Sequence, residues 1–301
     1  MRSVVLIGAS GYLGSKVLEA LKKRSVKVYA IQNSSPVNKC EGVEVIEGGL
    51  NSLTIGNLNR LNPEIIFHCG RPTYSRLRKL GRQLAARKAG RLNSKLIRNI
   101  KKSEINTKLV FASGSLVYGN SEEPHNEDSA PNPISYSKQY FNGELPILNE
   151  TGNDDFKVLT LRFPWLIGNG SWFGWFYLKN IEQTGRIPLF GDGINHLSIL
   201  NINDAAELMV EYGVSNVETG VYNIFSPDTP TQFEFAEMVS KTFGCKIVPY
   251  SELYPKLERA ALDAFTSNIL LNTNSPEILD GFHFLGVEEG LGVMKSEGLR
   301  G

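Results

Sequence analysis

The feature that most constrains the fold is a glycine-rich turn between a short apolar run and an amphipathic segment near the N-terminus. Residues 4–7 are all apolar, which is typical of a strand buried on both faces. The heptapeptide GASGYLG follows at residues 8–14, and Val17, Leu18 and Leu21 then recur at helical spacing. The pattern predicts a buried strand, a tight turn and a helix that packs back on the strand.

The three glycines of this turn have separate roles. Gly8 permits the tight turn, Gly11 lets the backbone approach a phosphate, and Gly14 lets the helix pack closely on the strand. The N–H groups at the start of the helix then face an anion. The turn therefore predicts a binding site for the pyrophosphate of a dinucleotide. The alternative is a plain strand-to-helix turn that binds nothing.

Strands alternate with helices along the first two thirds of the chain. Further strands are predicted at 26–31, 43–46, 64–69, 108–112 and 158–162, and helices at 75–101, 136–150, 204–212 and 233–243. This alternation predicts parallel strands with right-handed crossovers. We expect an α/β fold, a Rossmann-type doubly wound parallel sheet, with a smaller C-terminal substrate-binding domain. The expected domains are residues 1–165 and 166–301, with strands near 198–203 and 221–225 also returning to the main sheet.

Composition narrows the possible partners. The chain has 32 basic and 31 acidic residues, so its net charge does not favour nucleic acid or a membrane surface. No apolar run approaches the ~18 residues of a membrane span. The three cysteines are odd in number and far apart, and the four histidines lack metal-ligand spacing, which argues against disulfides and a metal site. We expect a cytoplasmic protein without a metal.

Several motifs occur in a specific order between residues 3 and 245. They are GASGYLG, FASGSLVYG, the Tyr136 segment, LRFPWLIGNG, LFGDGINHLSILNINDAAE and YNIFSPDTPTQFEFAEMV. Together they resemble the extended short-chain dehydrogenases/reductases, the NAD-dependent epimerase/dehydratase family. The resemblance implies a nicotinamide cofactor, a nucleotide-activated sugar as substrate and commonly a homodimer. It implies hydride transfer at a sugar carbon, which gives epimerisation, dehydration or reduction.

The resemblance also implies a catalytic tyrosine, with a lysine four residues later that favours tyrosinate and bonds the cofactor ribose. Tyr136 matches the tyrosine, and Glu144 matches a glutamate that is common in the family. Tyr140 stands where the lysine belongs, and Lys138 is only two residues from Tyr136, so on a regular helix it points to the opposite side. We interpret Tyr136 as the acid/base and Tyr140 as the replacement for the lysine. The alternative for Tyr136 is a groove-facing or dimer-contact residue.

The resemblance further implies a serine or threonine four residues before the tyrosine of the VYG segment. That position is Gly114, and Ser113 and Ser115 flank it. Either serine could supply the hydroxyl that polarises the substrate oxygen. The alternative is that both are polar turn residues.

The resemblance further assigns residues to the cofactor. They are Gly8, Ser10, Gly11, Tyr12, Leu13, Gly14, Gln32, Asn33, Leu50, Cys69, Gly70, Arg71, Phe163 and Pro164. The second strand ends in Gln32-Asn33, with neither the acid expected for a ribose diol nor an arginine expected for a 2′-phosphate. We expect NAD, with NADP open.

Substrate contacts are expected from residues near the cleft: Tyr74, Arg76, Trp165, Trp172 and Phe190. The aromatic residues could stack on a base or a sugar, or could form the core of the small domain. Leu197 replaces an arginine that sugar-nucleotide enzymes often place near the diphosphate, which weakens the sugar-nucleotide prediction.

A basic stretch carries twelve lysines and arginines and no acid between residues 65 and 103. It could recognise a phosphorylated substrate or an acidic partner. The alternative, which we favour, is a solvated helix face that complements acids of a neighbouring subunit. Those acids would be Glu144, Glu150, Asp154 and Asp155.

Three functions stay open from the sequence. The first is an NAD(P)-dependent epimerase, dehydratase or reductase, and we prefer it. The second is a cofactor-binding family member with weak or no catalysis that acts as a sensor or partner subunit, which the altered tyrosine–lysine pair favours. The third is a redox-neutral isomerase that retains its cofactor tightly.

Overall fold

A computed structural model describes residues 2–37, 40–72, 78–152 and 157–298. In chain order the strands are β1 (Arg2–Ile7), β2 (Val26–Gln32), β3 (Val43–Glu47), β4 (Ile65–His68), β5 (Lys108–Gly114), β6 (Lys157–Phe163), β7 (Trp165–Ile167), β8 (Arg186–Leu189), β9 (Ile199–Asn201), β10 (Gly220–Asn223) and β11 (Lys246–Pro249). The α-helices are α1 (Tyr12–Lys22), α2 (Ile55–Leu61), α3 (Arg78–Lys102), α4 (Lys138–Leu148), α5 (Lys179–Thr184), α6 (Ile202–Val214), α7 (Gln232–Phe243), α8 (Tyr250–Leu253), α9 (Arg259–Thr266), α10 (Glu277–Asp280) and α11 (Val287–Ser296).

The main sheet has seven strands in the order β10-β6-β5-β4-β1-β2-β3. Strand β1 pairs in parallel with β2 and β4, and β4 pairs in parallel with β5. The order reverses beside β1, since β2 and β3 lie on one side of it and β4, β5 and β6 on the other. Ligands of such sheets bind at the carboxyl edge where the order reverses. The predicted Rossmann-type fold class is therefore confirmed.

The chain divides into two compact units that interleave along the sequence. The first contains residues 1–113, 138–162 and 206–222, and the second contains residues 114–137, 163–205 and 223–301. The predicted domains at 1–165 and 166–301 stay a prediction about how the chain is organised. Of the two late strands expected in the main sheet, β10 joins it, whereas β9 pairs with β7 in a separate two-stranded sheet.

Apolar side chains bury both faces of the main sheet. On one face, Val5 and Leu109 pack with Leu58 of α2 and Leu96 of α3, all fully or almost fully buried. Burial of each such side chain contributes roughly 1.5–3 kcal/mol. On the other face, α6 approaches β4 so closely that a Cβ on Gly213 would lie 2.5 Å from the Phe67 ring. This rigid sheet holds the residues that leave its carboxyl edge.

The second unit has an aromatic core of its own. The Phe190 and Phe265 rings stack with centroids 4.0 Å apart, and Trp165 stacks on Phe265 at 5.1 Å. Trp172 donates its indole N–H to the carbonyl oxygen of Leu166 at 2.9 Å. Offset and edge-to-face contacts of this kind stabilise a core beyond simple burial. No helix among the described residues is long and apolar enough to cross a membrane.

The predicted helix at residues 136–150 begins later than expected. Tyr136 and Ser137 lie in a turn, and α4 starts at Lys138. The Ser137 hydroxyl donates to the carbonyl oxygens of Leu116 and Ile134, at 2.6 and 3.2 Å. These bonds hold the backbone in a turn before the helix. The prediction that the helix begins at Tyr136 was therefore wrong, because α4 begins at Lys138.

Candidate functional site

The glycine turn has the conformation that its sequence predicts. Gly8 has a φ of +86°, in the left-handed region that disfavours residues with a Cβ. The Gly11 N–H donates to the Gly8 carbonyl oxygen at 2.8 Å, which closes the turn between β1 and α1. Ser10 and Gly11 are exposed at the top of the turn, and Tyr12 and Leu13 are half-buried.

Glycine is required here because the neighbouring backbone comes too close for any side chain. A Cβ on Gly8 would lie 2.7 Å from the backbone nitrogen of Gly70, and a Cβ on Gly14 would overlap the carbonyl oxygen of Gly8. Gly11 is less crowded, since its Cβ would lie 3.1 Å from that oxygen. The three glycines let β1, α1 and the loop after β4 meet at one point.

The N-terminus of α1 is open to an anion. The helix begins after Gly11, which has no side chain to cap it, and its first turn contains no acidic residue. The first N–H groups of the helix therefore carry partial positive charge that no carboxylate of this turn offsets. A phosphate placed over the turn would satisfy these donors.

Several strands end at the same edge as β1. Ile7 lies opposite His68 of β4 and Ile31 of β2, and His68 lies opposite Phe111 of β5. The residues that follow these positions leave the sheet together. This brings the glycine turn, the loop that starts at Cys69 and the end of β5 to one edge of the first unit.

The predicted cofactor residues at the end of β2 and beyond it make contacts within the chain. The Gln32 side-chain oxygen accepts a hydrogen bond from the Val37 N–H at 2.7 Å. The Asn33 side chain lies against Gly49, where a Cβ would come within 3.0 Å of the amide oxygen. Leu50 is half-buried in a 3₁₀-helix at residues 49–52. These contacts fix the shape of the loop beside the β2 end.

His68 positions the loop next to the turn. Its Nδ1 accepts from the Gly70 N–H at 3.2 Å, and its Nε2 lies 3.0 Å from the side-chain oxygen of Asn93. The Asn93 amide donates onward to the Gly143 carbonyl oxygen at 2.9 Å. Burial lowers the pKa of His68 to about 4, so the ring is neutral and its Nε2 is the donor. Burial also raises the pKa of the neighbouring Cys69 thiol, so this cysteine is not a thiolate.

A carboxyl and a hydroxyl meet at the end of β5. The Ser113 hydroxyl donates to a carboxylate oxygen of Glu144, from α4, at 2.7 Å. Glu144 is half-buried, and its hydrogen bond with Ser113 is partly shielded from solvent. Burial raises the pKa of Glu144 to about 7, against the opposing effects of the Ser113 bond and the charges of Arg71 and Arg162. A carboxyl with this pKa can hold or release a proton near neutral pH.

An arginine lies beside this pair. The Arg71 guanidinium lies over the Tyr140 ring, 4.2 Å from its centroid. Arg71 follows Gly70 directly, and Tyr140 precedes Glu144 by one helical turn. Tyr140 occupies the position where the resemblance to the family implies a lysine. The structure therefore places a cation next to that position from a different segment of the chain.

Comparison with known proteins identifies the family. The sequence model of the NAD-dependent epimerase/dehydratase family matches residues 4–224. The chain belongs to this family. Methionine adenosyltransferase 2 subunit beta of Xenopus tropicalis is 26% identical over 171 residues, which are 56% of this chain and 48% of that protein. The chain thus matches about half the length of this curated relative.

Solved structures share the fold of this epimerase/dehydratase family member over nearly its whole length. UDP-glucose 4-epimerase of Thermotoga maritima with UDP-glucose has a TM-score of 0.79 at 17% identity, covering 98% of each chain. UDP-glucuronic acid 4-epimerase of Bacillus cereus, in complex with UDP-glucuronic acid and NAD, has a TM-score of 0.77 at 18% identity, again covering 98% of each. At these identities the likeness establishes the fold.

NAD is the cofactor of the epimerase/dehydratase family, as predicted, and the first unit fits a dinucleotide. The absence of a Cβ at Gly8 and Gly14 lets the neighbouring backbone pack into a tight turn, and Ser10 and Gly11 are exposed at the top of that turn, where a phosphate could approach. Nine of the predicted cofactor residues lie in this turn or in the loop beside it: Gly8, Ser10, Gly11, Tyr12, Leu13, Gly14, Cys69, Gly70 and Arg71. Their individual roles stay predictions.

Other predicted site residues of this family member lie in the second unit. Ser115 is buried in a short 3₁₀-helix, and Tyr136 is half-buried in the turn before α4. Phe163 ends β6 and Pro164 follows it. Of the three predicted substrate aromatics there, Phe190 is fully buried, which favours the core interpretation for this residue. Trp165 and Trp172 are half-buried. Tyr74 and Arg76 lie outside the described residues.

Two residues of the first unit were missing from the predicted site. Glu144 was recognised only as a family position, and Arg162 was not considered. Arg162 is the one charged residue among the last six residues of β6 and is 4% exposed. A charge within a buried strand must have compensating groups nearby. That isolated charge was the available signal in the sequence.

The interpretation of the basic stretch as a match for acids on a neighbouring subunit needs correction. Glu150 pairs with Lys101 of the same chain at 2.7 Å, and the Glu144 carboxyl accepts the Ser113 hydrogen bond. Asp154 and Asp155 lie outside the described residues. Helices α3 and α4 line an open groove of about 760 Å³ whose cationic side chains are Arg87, Arg91 and Arg98. None of these three has an acidic partner among the described residues.

Proposed function

We propose that this protein is an NAD-dependent enzyme that acts on a nucleotide-activated sugar or a related carbonyl compound by hydride transfer. The overall result would be epimerisation, dehydration or reduction. One observation carries the proposal: an anion-accepting glycine turn and a carboxyl–hydroxyl pair lie at the same edge of the first unit's sheet. Family membership and the UDP-sugar complexes among the structural neighbours support the substrate class.

The chain's own residues have the following roles in this proposal. The turn at Gly8, Gly11 and Gly14 holds the pyrophosphate, and NAD when bound supplies the acceptor for the hydride. Ser113 or Ser115 hydrogen-bonds the reacting oxygen of the substrate. The resemblance to the family assigns the acid/base role to Tyr136.

The Ser113–Glu144 pair offers a route for the proton. When a substrate hydroxyl is oxidised, its proton would pass to the Ser113 oxygen while the Ser113 proton passes to the Glu144 carboxylate. The hydride leaves the same substrate carbon, so a carbonyl forms and the charges balance. A carboxyl with a pKa of about 7 can accept this proton and return it near neutral pH. In this role Glu144 acts on the substrate through Ser113.

A substrate screen with two variants tests the proposal. Wild-type protein is incubated with NAD and either UDP-glucose or UDP-glucuronic acid, while NADH absorbance and the sugar products are followed. We expect turnover of one sugar nucleotide, and Tyr136→Phe should lower kcat by orders of magnitude with NAD affinity close to wild type. Ser113→Ala should lower kcat as well. Tyr136→Phe with wild-type turnover would remove Tyr136 from the mechanism.

A second function, a cofactor-binding subunit with weak or no catalysis, is favoured by Tyr140 at the lysine position. The partial match to a protein named as a subunit points the same way. Under this alternative the protein binds NAD but turns over none of the sugar nucleotides, and it copurifies with a partner protein.

A cytoplasmic location and a homodimer are also proposals. The free cysteines Cys40, Cys69 and Cys245 support a reducing compartment. The homodimer rests on the family resemblance alone. Light scattering of the purified protein measures its molar mass and decides between a monomer and a dimer. A monomer at all concentrations would contradict the dimer proposal.

A further inference from the structure

This protein lacks the lysine of the family's tyrosine–lysine pair, and with it the positive charge that favours tyrosinate and bonds the cofactor ribose. Residue 140 is a tyrosine, whose ring carries no positive charge at neutral pH. A dinucleotide held at the glycine turn presents phosphates and ribose hydroxyls, which a cation with several N–H donors recognises well. In this protein such a cation must come from another residue near the glycine turn.

Arg71 is joined directly to the backbone that closes the glycine turn. Its neighbour Gly70 approaches Gly8 so closely that a Cβ on Gly8 would lie 2.7 Å from the Gly70 nitrogen. The Gly70 N–H is in turn fixed by the His68 ring. The backbone of Arg71 is therefore anchored next to the turn, on the first unit's own framework.

The Arg71 side chain lies over the Tyr140 ring, and its N–H donors make no hydrogen bond within the described part of the chain. Its guanidinium lies 4.2 Å from the centroid of the Tyr140 ring. Stacking on a ring uses the face of a guanidinium and leaves the N–H groups at its edge for a ligand. Among the described residues Arg71 makes no side-chain hydrogen bond or ion pair, and it is exposed at the surface of the unit.

The charge of Arg71 also reaches the carboxyl–hydroxyl pair. Glu144 lies one helical turn after Tyr140, and the Arg71 charge is among the influences that lower the pKa of Glu144 against its burial. Arg71 thus leaves the backbone beside the glycine turn, and its charge acts on the carboxyl group that accepts the Ser113 hydrogen bond. A lysine at residue 140 would act from the same place.

We propose that Arg71, held against the Tyr140 ring, binds the ribose of the nicotinamide half of NAD and supplies the positive charge that a lysine supplies elsewhere in the family. This inference rests on the proposed function, because it requires NAD at the glycine turn. Tyr140 is a positioning residue in it, and Arg71 is the residue that touches the cofactor.

Ligand affinities of an Arg71→Gln variant test the proposal without any measurement of turnover. Binding of NAD, ADP-ribose and ADP is measured by calorimetry for wild type, for Arg71→Gln and for Arg98→Gln, a matched loss of charge on α3. ADP-ribose contains the second ribose, whereas ADP contains only the adenine half and the phosphates. We expect Arg71→Gln to weaken NAD and ADP-ribose by roughly tenfold to a hundredfold, the range for a charge-assisted hydrogen bond. ADP should bind both proteins equally, and Arg98→Gln should match wild type.

Substitutions at residue 140 test the positioning role. Tyr140→Leu removes the ring and should weaken NAD by about twofold to fivefold, the range for an exposed cation–π contact, and Tyr140→Phe should weaken NAD less. Adding Tyr140→Lys to Arg71→Gln should recover part of the lost affinity, because the new lysine returns a cation to this place. A merely structural Arg71 would give no such recovery.

Three results would overturn the inference. Wild-type NAD affinity in Arg71→Gln would remove Arg71 from the site, and equal weakening of ADP would move the contact to the phosphates. Equal weakening in Arg98→Gln would indicate a general effect of charge. The proposed function is judged separately by the wild-type protein. If wild type does not bind NAD, both ideas fail, whereas if only the Arg71 variants behave as wild type, the inference alone fails.

Discussion

Replacing Glu144 with glutamine should flatten part of the pH dependence of folding stability. Burial raises the pKa of Glu144 from 4.5 to about 7, so the folded state binds this proton more tightly than the unfolded state. The stabilisation is fully present below pH 4.5 and is lost as the pH rises through 7. At about 1.4 kcal/mol per pH unit, the difference between the two values corresponds to roughly 3–4 kcal/mol at most. Glutamine stays neutral and still accepts the Ser113 hydrogen bond.

Urea unfolding followed by tryptophan fluorescence measures this effect at a series of pH values from 4.5 to above 7. The quantity of interest is the free energy of unfolding of wild type minus that of Glu144→Gln, because other titrating groups cancel in it. We expect this difference to fall by about 3 kcal/mol across the range. Glu122→Gln, at an exposed glutamate, should give a flat difference. A flat difference for Glu144→Gln, or one that rises with pH, would refute the account of a partly shielded, protonatable carboxyl.

Two further predictions concern the framework of the first unit. Burial lowers the pKa of His68 to about 4, so the folded state holds the ring neutral. The stabilisation of the fold by the neutral ring is fully present above pH 6.5, and about 3 kcal/mol of it is lost as the pH falls toward 4. His68→Gln should remove that acid-side loss in the same urea titrations, and an unchanged pH profile would contradict it. Gly213→Ala should destabilise the fold by about 1–3 kcal/mol, because a Cβ there would meet the Phe67 ring. The matched control Gly56→Ala, where a Cβ has nothing within 4 Å, should be neutral or stabilising by up to about 1 kcal/mol, and equal effects of the two changes would contradict the packing argument.

The parts of the fold that local sequence determines were predicted well. The turn at Gly8, Gly11 and Gly14 was predicted because a tight turn with close backbone packing requires glycine, and all three glycines lie within seven residues. The Rossmann-type fold class followed from the alternation of strands and helices, which admits few topologies. These features depend on short stretches of chain and on general rules of connection.

The errors arose where distant contacts decide the outcome. Tyr136 was predicted in a helix, but the Ser137 hydroxyl bonds to Leu116, some twenty residues earlier, and holds a turn there. Strand β9 has the same apolar pattern as a strand of the main sheet, yet it pairs with β7. Local pattern indicates that a segment is extended and does not indicate which neighbour it joins.

The site was predicted incompletely for a related reason. Glu144 and Ser113 are 31 residues apart in sequence, and only the packing of α4 on the sheet brings them to 2.7 Å. The contact between Arg71 and Tyr140 likewise joins two segments that no motif connects. A resemblance to a family identifies positions that match, and it gives no indication of how a departure such as Tyr140 is compensated.

The most direct test of the account is a binding titration of the wild-type protein with NAD, NADH, NADP and NADPH, followed by tryptophan fluorescence. A Gly14→Val variant, whose side chain would meet the Gly8 carbonyl oxygen, and the Gly56→Ala control are titrated alongside. We predict that wild type and Gly56→Ala bind NAD with a Kd in the micromolar range or tighter, and that folded Gly14→Val binds at least tenfold more weakly. Folded wild-type protein that binds none of the four dinucleotides would contradict the central claim.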